Sequence, residues 1–302
     1  MSTPNTSVMF VDADAKSRMA AWFETFRSTL QVPTESRFVE TPEGRTHVLV
    51  AGPEEAPPLV CLHGALASSA QLLPELGPLV ERHRIYAIDV VGQSVMSADR
   101  RIDVRDDSYG HWLSAVCAGL GLTRVGLFGV SWGGFVALRT AKVAPDLVDA
   151  LVLLVPAGVV AGSAWTGFTK LGWPLLTYRL SPSEARLRRV VDALFTTFDE
   201  RWSRWFGDAV LSYRMDMRVP PLATAEDLRA FASRGRPTLF VAGDDDVSFP
   251  GSKLLARARE LVPHAEVELL AACKHCPPTD DAFRARTAHR VQALLEGARA
   301  GG

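Results

Sequence analysis

Apolar positions along the chain follow two patterns that take turns. Short apolar runs occur at 46–50, 59–62, 85–90, 125–130, 151–155, 238–242 and 266–270, with the composition of buried or half-buried strands. Helical spacing governs 12–30, where Met19, Trp22, Phe23, Phe26 and Leu30 share a face. It returns at 109–122, 133–143, 251–261 and 280–296, the last with Thr279 as its expected N-cap. Strands that alternate with helices predict an α/β domain, a mostly parallel central sheet covered by helices on both faces.

One stretch interrupts the alternation. Residues 161–223 hold no convincing strand, but they carry Trp165, Trp173, Tyr178, Phe195, Phe198, Trp202, Trp205, Phe206 and Tyr213, and an Arg-rich helical run at 183–199. The expected organisation is a helical arm at 1–37, a core at 38–160 and 224–302, and a helical cap at 161–223 inserted between two strands. So aromatic an insertion either packs a small core of its own or covers something. Trp165, Trp173, Trp202, Trp205 and Phe206 are the candidates for a pocket beneath it. Residues 297–302 are rich in Gly and Ala and are expected to fray.

Candidate chemistry gathers where strands end. Gly129-Val130-Ser131-Trp132-Gly133 fits G-x-S-x-G, with an apolar strand entering and a helix of small residues leaving. That context suits a nucleophile, because the serine must sit on a sharp turn whose flanking glycines permit close backbone packing. The N-terminus of the following helix also favours negative charge there. A serine needs a base. Of seven histidines, His275 follows an expected strand and precedes a helix, at the same sheet edge as Ser131. His47 falls inside a strand, and His83, His111, His264 and His289 fall on helices or connections expected to be exposed. The imidazole in turn needs an acid. Asp244, Asp245 and Asp246 follow the strand ending at Ala242, and any of them could serve; no acid follows the strand ending at Val155. His63-Gly64-Ala65 ends another strand, so the main-chain N–H groups of Ala65 and Trp132 are the expected oxyanion donors.

Composition narrows the class. The chain has 302 residues, 47% hydrophobic and 22% charged, with a net charge of -1. A domain of this length buries roughly 75% of its unfolded surface and needs no staples. The near-zero charge argues against nucleic acid or an anionic membrane as the main partner. The apolar run near 150–162 is too short to span a bilayer and is broken by Pro156. No basic-then-apolar leader is seen between Met1 and Phe10. Four cysteines do not make a disulfide scaffold, so a cytoplasmic protein with reduced thiols is expected. Cys273 and Cys276 form a C-x-x-C pair, but a metal needs more than two thiolates and no second Cys/His pair stands nearby. No metal and no cofactor are expected.

With these pieces in order, the chain resembles the α/β-hydrolase superfamily, and most of all its capped bacterial serine esterases, from about Phe38 to Leu295. The superfamily order is nucleophile, acid, histidine, here Ser131, Asp246, His275. Its Gly-acid-x-Asp pattern after the seventh strand selects Asp246, with Asp244 in the other acidic position, and its cap usually follows the sixth strand. Two features depart from the pattern. Lys274 stands where relatives carry Gly before the histidine, and Val91-Gly92-Gln93-Ser94 replaces the common Gly-x-Gly-x-Ser. The resemblance implies two-step acyl transfer on a carboxylic ester. The same site could serve other acyl or C–C bonds, as in proline iminopeptidases (suggested by Ser-Trp-Gly-Gly), thioesterases, lactonases or meta-cleavage product hydrolases. Alternatively, the chain could be a ligand-binding relative without turnover. The partner expected is a small molecule with an apolar group. Arg201, Arg204, Arg214 and Arg218 are candidates for a substrate carboxylate, or else solvated surface charges.

Overall fold

The computed structural model describes the backbone of residues 7–216 and 218–300. An eight-stranded sheet runs in the order β1-β2-β4-β3-β5-β6-β7-β8. Its strands are β1 Thr34–Thr41, β2 Gly44–Ala51, β3 Pro58–Leu62, β4 Arg84–Ile88, β5 Val125–Val130, β6 Val148–Leu154, β7 Thr238–Gly243 and β8 Glu266–Leu270. β1 and β2 pair antiparallel, β2 joins β4 antiparallel, and every other pairing is parallel. The central strands read as near-continuous apolar runs because both of their faces are covered. The outer strands are mixed in composition: β1 buries Val39 alone, and β8 buries Leu270 alone.

Helices α3 Ser108–Gly119, α4 Trp132–Val143, α9 Ala225–Ala232 and α10 Gly251–Leu261 cover one face, around Trp112, Phe135, Phe231 and Phe240. Helices α2 Ser69–Glu75 and α11 Asp281–Ala300 cover the other, around Leu73, Phe128 and Leu294. Between β6 and β7 the chain is helical. It runs through α5 Ala164–Gly167, a π-turn at Phe168–Gly172, α6 Trp173–Leu180, α7 Glu184–Leu194 and α8 Glu200–Ser212 before reaching α9.

Helix α1 Ala13–Arg27 buries Met19, Phe23 and Phe26 on the face its spacing predicts. That face meets α8: Phe26 lies 5.1 Å from Trp202 between ring centroids, and the Trp22 indole donates to Asp208 at 2.7 Å. The N-terminal segment is thus packed on the helical insertion, and β1 begins within it, at Thr34.

Three local expectations change. Thr279 does not cap the last helix: its N–H is turned to the Thr197 hydroxyl, and the Asp280 carboxylate accepts from Phe283 N at 2.8 Å. The last helix continues through Ala300, so the stretch expected to fray is helical as far as it is described. His83 is buried at 1% exposure.

The sheet positions the site through one close approach. Helix α4 must leave β5 and cross β3 with almost no clearance. A Cβ on Gly133 would stand 2.3 Å from the Leu62 carbonyl oxygen, and one on Gly129 would stand 2.5 Å from the Gly133 carbonyl oxygen. Gly133→Ala is expected to cost about 1–3 kcal/mol through overpacking. Urea unfolding with an unchanged midpoint would contradict this account of the turn.

Candidate active site

Ser131 sits between β5 and α4 with φ 49° and ψ -110°, a strained conformation for a residue with a side chain. The strain is held by three main-chain bonds: Ser131 N donates to Leu154 O, while Phe135 N and Ala157 N donate to Ser131 O. The turn lifts the hydroxyl off the carboxyl edge of the sheet, where the loops after β7 and β8 also arrive. Ser131 Oγ lies 2.9 Å from His275 Nε2, and His275 Nδ1 lies 2.8 Å from Asp246 Oδ2. Asp246 is fully buried, and its other oxygen accepts from Ser248 N at 2.7 Å and Phe249 N at 3.0 Å. Phe249 packs edge-on against the imidazole, 5.2 Å between centroids. The three residues form one unbroken relay.

The family model described as alpha/beta hydrolase fold matches residues 57–282. The chain belongs to this family. It is 26% identical over 272 residues to a Bacillus subtilis protein named as an uncharacterized carboxylesterase, nap, covering 84% of this chain and 86% of that one. It is 32% identical over 154 residues to the B. subtilis carboxylesterase YbfK, about half of each chain. The crystal structure of the B. subtilis naproxen esterase superposes with a TM-score of 0.79 at 24% identity, over 94% of this chain and 99% of that one.

Within this hydrolase fold the aspartates separate by contact. Asp246 faces the imidazole, while Asp244 and Asp245 are exposed. Asp244 is more than a solvated charge, since its carboxylate accepts from Cys273 N at 3.1 Å and ties the two loops together. Ala65 and Trp132 flank Ser131 from β3 and α4. Among the described residues, neither N–H is spent on a loop, cap or side-chain bond. Gly64 stands beside Ser131, where a Cβ would lie 3.5 Å from the serine Cβ, at ordinary contact distance.

The Ala65 loop is anchored from below. His63 Nδ1 donates to Gly64 O at 2.7 Å, and His63 Nε2 accepts from Val90 N at 3.0 Å. Gln93 Oε1 accepts from Leu66 N, the next residue along, which has φ 63°. Beneath lies Asp89, fully buried, accepting from His47 Nδ1 at 2.6 Å, Ser69 N at 3.0 Å, Ser69 Oγ at 2.6 Å and Ser94 Oγ at 2.5 Å. Sequence reasoning missed Gln93 and Asp89. The available signal was the departure at Val91-Gly92-Gln93-Ser94, where the replaced residues now support this loop.

A cavity of about 340 Å³ opens over the relay. Its walls include Leu72, Leu76, Leu154, Leu171, Leu194 and Phe195. Of the expected pocket residues, Trp202, Trp205 and Phe206 line it, and Trp165 and Trp173 do not. Those two lie on the outward face of their helical turns, 75% and 55% exposed, because Leu171, Leu175 and Tyr178 take the inward face. None of the four candidate arginines lines the cavity. Arg201 lies over the Phe26 ring, Arg204 pairs with Glu200, Arg214 bonds Val11 O, and Arg218 grips Asp216 and Ile102 O. The cysteines are free thiols, and burial pushes Cys276 up to about 12 and Cys273 upward too. Neither is a thiolate near neutrality.

Burial also pushes the His63 imidazole below its ordinary value, against the pull of Asp89 and the Gly64 carbonyl. The unfolded chain therefore takes up a proton near pH 6.5 that the folded one refuses, and acidification favours unfolding. Burial pushes the Asp89 carboxyl up, but His47, His63 and Ser69 outweigh it and hold the group low, so its contribution is lost as pH falls below about 4. The Tm is expected to fall from pH 7 to 5 and again below 4. Thermal melts that stay flat across that range would contradict the assignment of a neutral His63 over an ionised Asp89.

Proposed function

We propose that the chain hydrolyses carboxylic esters by two-step acyl transfer, with Ser131 as nucleophile, His275 as base and then acid, and Asp246 as the group that orients it. The observation that carries this reading is the relay from a buried carboxylate to a serine hydroxyl at the floor of an apolar cavity. Ser131 Oγ attacks the ester carbonyl as its proton passes to His275 Nε2. The tetrahedral oxyanion forms between the N–H groups of Ala65 and Trp132, each worth about 3–4 kcal/mol to the transition state. Asp246 keeps Nδ1 protonated and steadies the imidazolium. His275 then protonates the leaving alkoxide, and water repeats the sequence on the acyl-enzyme.

The carboxylesterase names of both B. subtilis relatives support an ester as the bond cleaved. The helices of 161–223 act as the cap, and Leu194, Phe195, Trp202, Trp205 and Phe206 from it complete the cavity. The substrate carries a neutral apolar group. No Lys or Arg stands among the described lining residues, and the one carboxylate there, Glu75, is already paired with Arg284 at 2.9 Å. A substrate with a free carboxylate would be desolvated without a partner, which disfavours the acidic products of ring cleavage as substrates.

Apolar esters, matching amides and esters bearing a free carboxylate, compared by kcat/KM, test this directly. Neutral esters are expected to lead carboxylate-bearing ones by at least about tenfold, the factor that roughly 1.4 kcal/mol gives. Asp246→Asn is expected to lower kcat by up to about 10⁴-fold, and Ser131→Ala by about 10⁶-fold. Preference for amides would overturn the bond assignment. Full activity in Asp246→Asn would overturn the role of the acid, and stoichiometric ligand binding without any turnover would favour a binding protein.

A further inference from the structure

The loop that carries His275 is held from the cap side as well as by the sheet. Its own strand, β8, lies at one edge of the sheet, and the loop beyond it turns through Ala272 at φ 51° before reaching the histidine. The turn after α7 lies against it. Phe195 and Cys276 form a parallel bridge, with Cys276 N donating to Leu194 O at 2.8 Å and Thr196 N donating to Cys276 O at 3.0 Å. The Thr196 hydroxyl then spans the histidine. It accepts from Lys274 N at 2.9 Å and donates to Cys276 O at 2.8 Å, the residues immediately before and after His275. The Lys274 ammonium adds a bond to Asp192 O at 2.6 Å.

We infer that Thr196 is a positioning residue for the base of the reaction, and that the turn carrying it couples the cavity wall to the alignment of His275. This rests on the assignment of Ser131 and His275 above. Leu194, Phe195 and Cys276 face the cavity, while the bonds between the same two segments fix the main chain on both sides of the imidazole. The Asp246 bond at Nδ1 sets the ring's tautomer, but it leaves the height of the loop above Ser131 free. The Asp244 bond to Cys273 N and the main-chain bridge to Leu194 and Thr196 N hold the loop on either side, and the Thr196 hydroxyl adds one acceptor and one donor contact that close on the histidine itself. Lys274 in place of glycine adds a side-chain tie to the same contact, since its ammonium reaches the Asp192 carbonyl on α7.

Thr196→Val keeps the shape and β-branching and removes the hydroxyl, stranding Lys274 N–H beside the histidine. Small misplacements of a reacting group cost as much as about 10²-fold. The variant is expected to lose about tenfold or more in kcat with KM within about twofold, and to shift the acid limb of its kcat/KM profile. Thr196→Ser, which restores the hydroxyl, is expected to recover kcat to within about twofold of the parent at an unchanged limb. If Thr196→Val does not fold, Thr196→Ala, which also lacks the hydroxyl, is read against Thr196→Ser in the same way. Wild-type kcat in the folded hydroxyl-free variant would overturn the inference, as would Thr196→Ser remaining as impaired as that variant. In either case an inactive Ser131→Ala leaves the acyl-transfer reading standing, whereas an active one would bring down both.

Discussion

The structure depends on one backbone constraint, the turn at Ser131. A residue with a side chain is held at positive φ because three main-chain bonds and two glycine contacts leave no other path from β5 into α4. Strain of this kind costs of order 1–3 kcal/mol and persists only where the surroundings over-determine it. Here they do. β5 is paired on both sides by parallel strands, and α4 is buried over most of its length. In return, the hydroxyl projects from the sheet where the loops after β7 and β8 arrive, and those loops bring the aspartate and the histidine.

Around that turn, polar groups are graded by burial. Asp246 and Asp89 are both carboxylates beside a histidine, and each is saturated by donors. Asp246 reaches through its histidine to a serine that faces a cavity. Asp89 is sealed beneath the His63 loop, where it fixes the shape of the strand end that presents Ala65. In the proposed mechanism the same pairing serves two ends, orientation of a mobile proton in one case and rigidity of a donor loop in the other. A half-satisfied network at either place would be worse than an apolar one.

Much of this was legible in the chain because it follows from period and position. Strands β2 to β7 carry apolar runs, β8 keeps three apolar residues in the five of Glu-Val-Glu-Leu-Leu, and the strand-turn-helix context of Ser131 needs only local sequence to be seen. Strand β1 could not be read that way: Thr34–Thr41 buries only Val39, so it lacks the run that marks a covered strand. Inner and outer aromatics on the insertion could not be told apart, because the π-turn at Phe168–Gly172 breaks the helical period on which such a division rests. In the sequence, Trp165 and Trp173, which are exposed, therefore look no different from Trp202 and Trp205, which line the cavity. Gln93 and Thr196 act through contacts 27 and 78 residues away in the chain, and no spacing rule reaches that far.

The central claim is that Ser131 is an activated nucleophile, and an active-site-directed fluorophosphonate tests it most directly, because such a probe bonds only to a serine whose proton has somewhere to go. Intact mass after incubation is predicted to show one adduct on the parent chain and none on Ser131→Ala. No adduct on a folded parent, or an adduct that survives the substitution, would contradict the account.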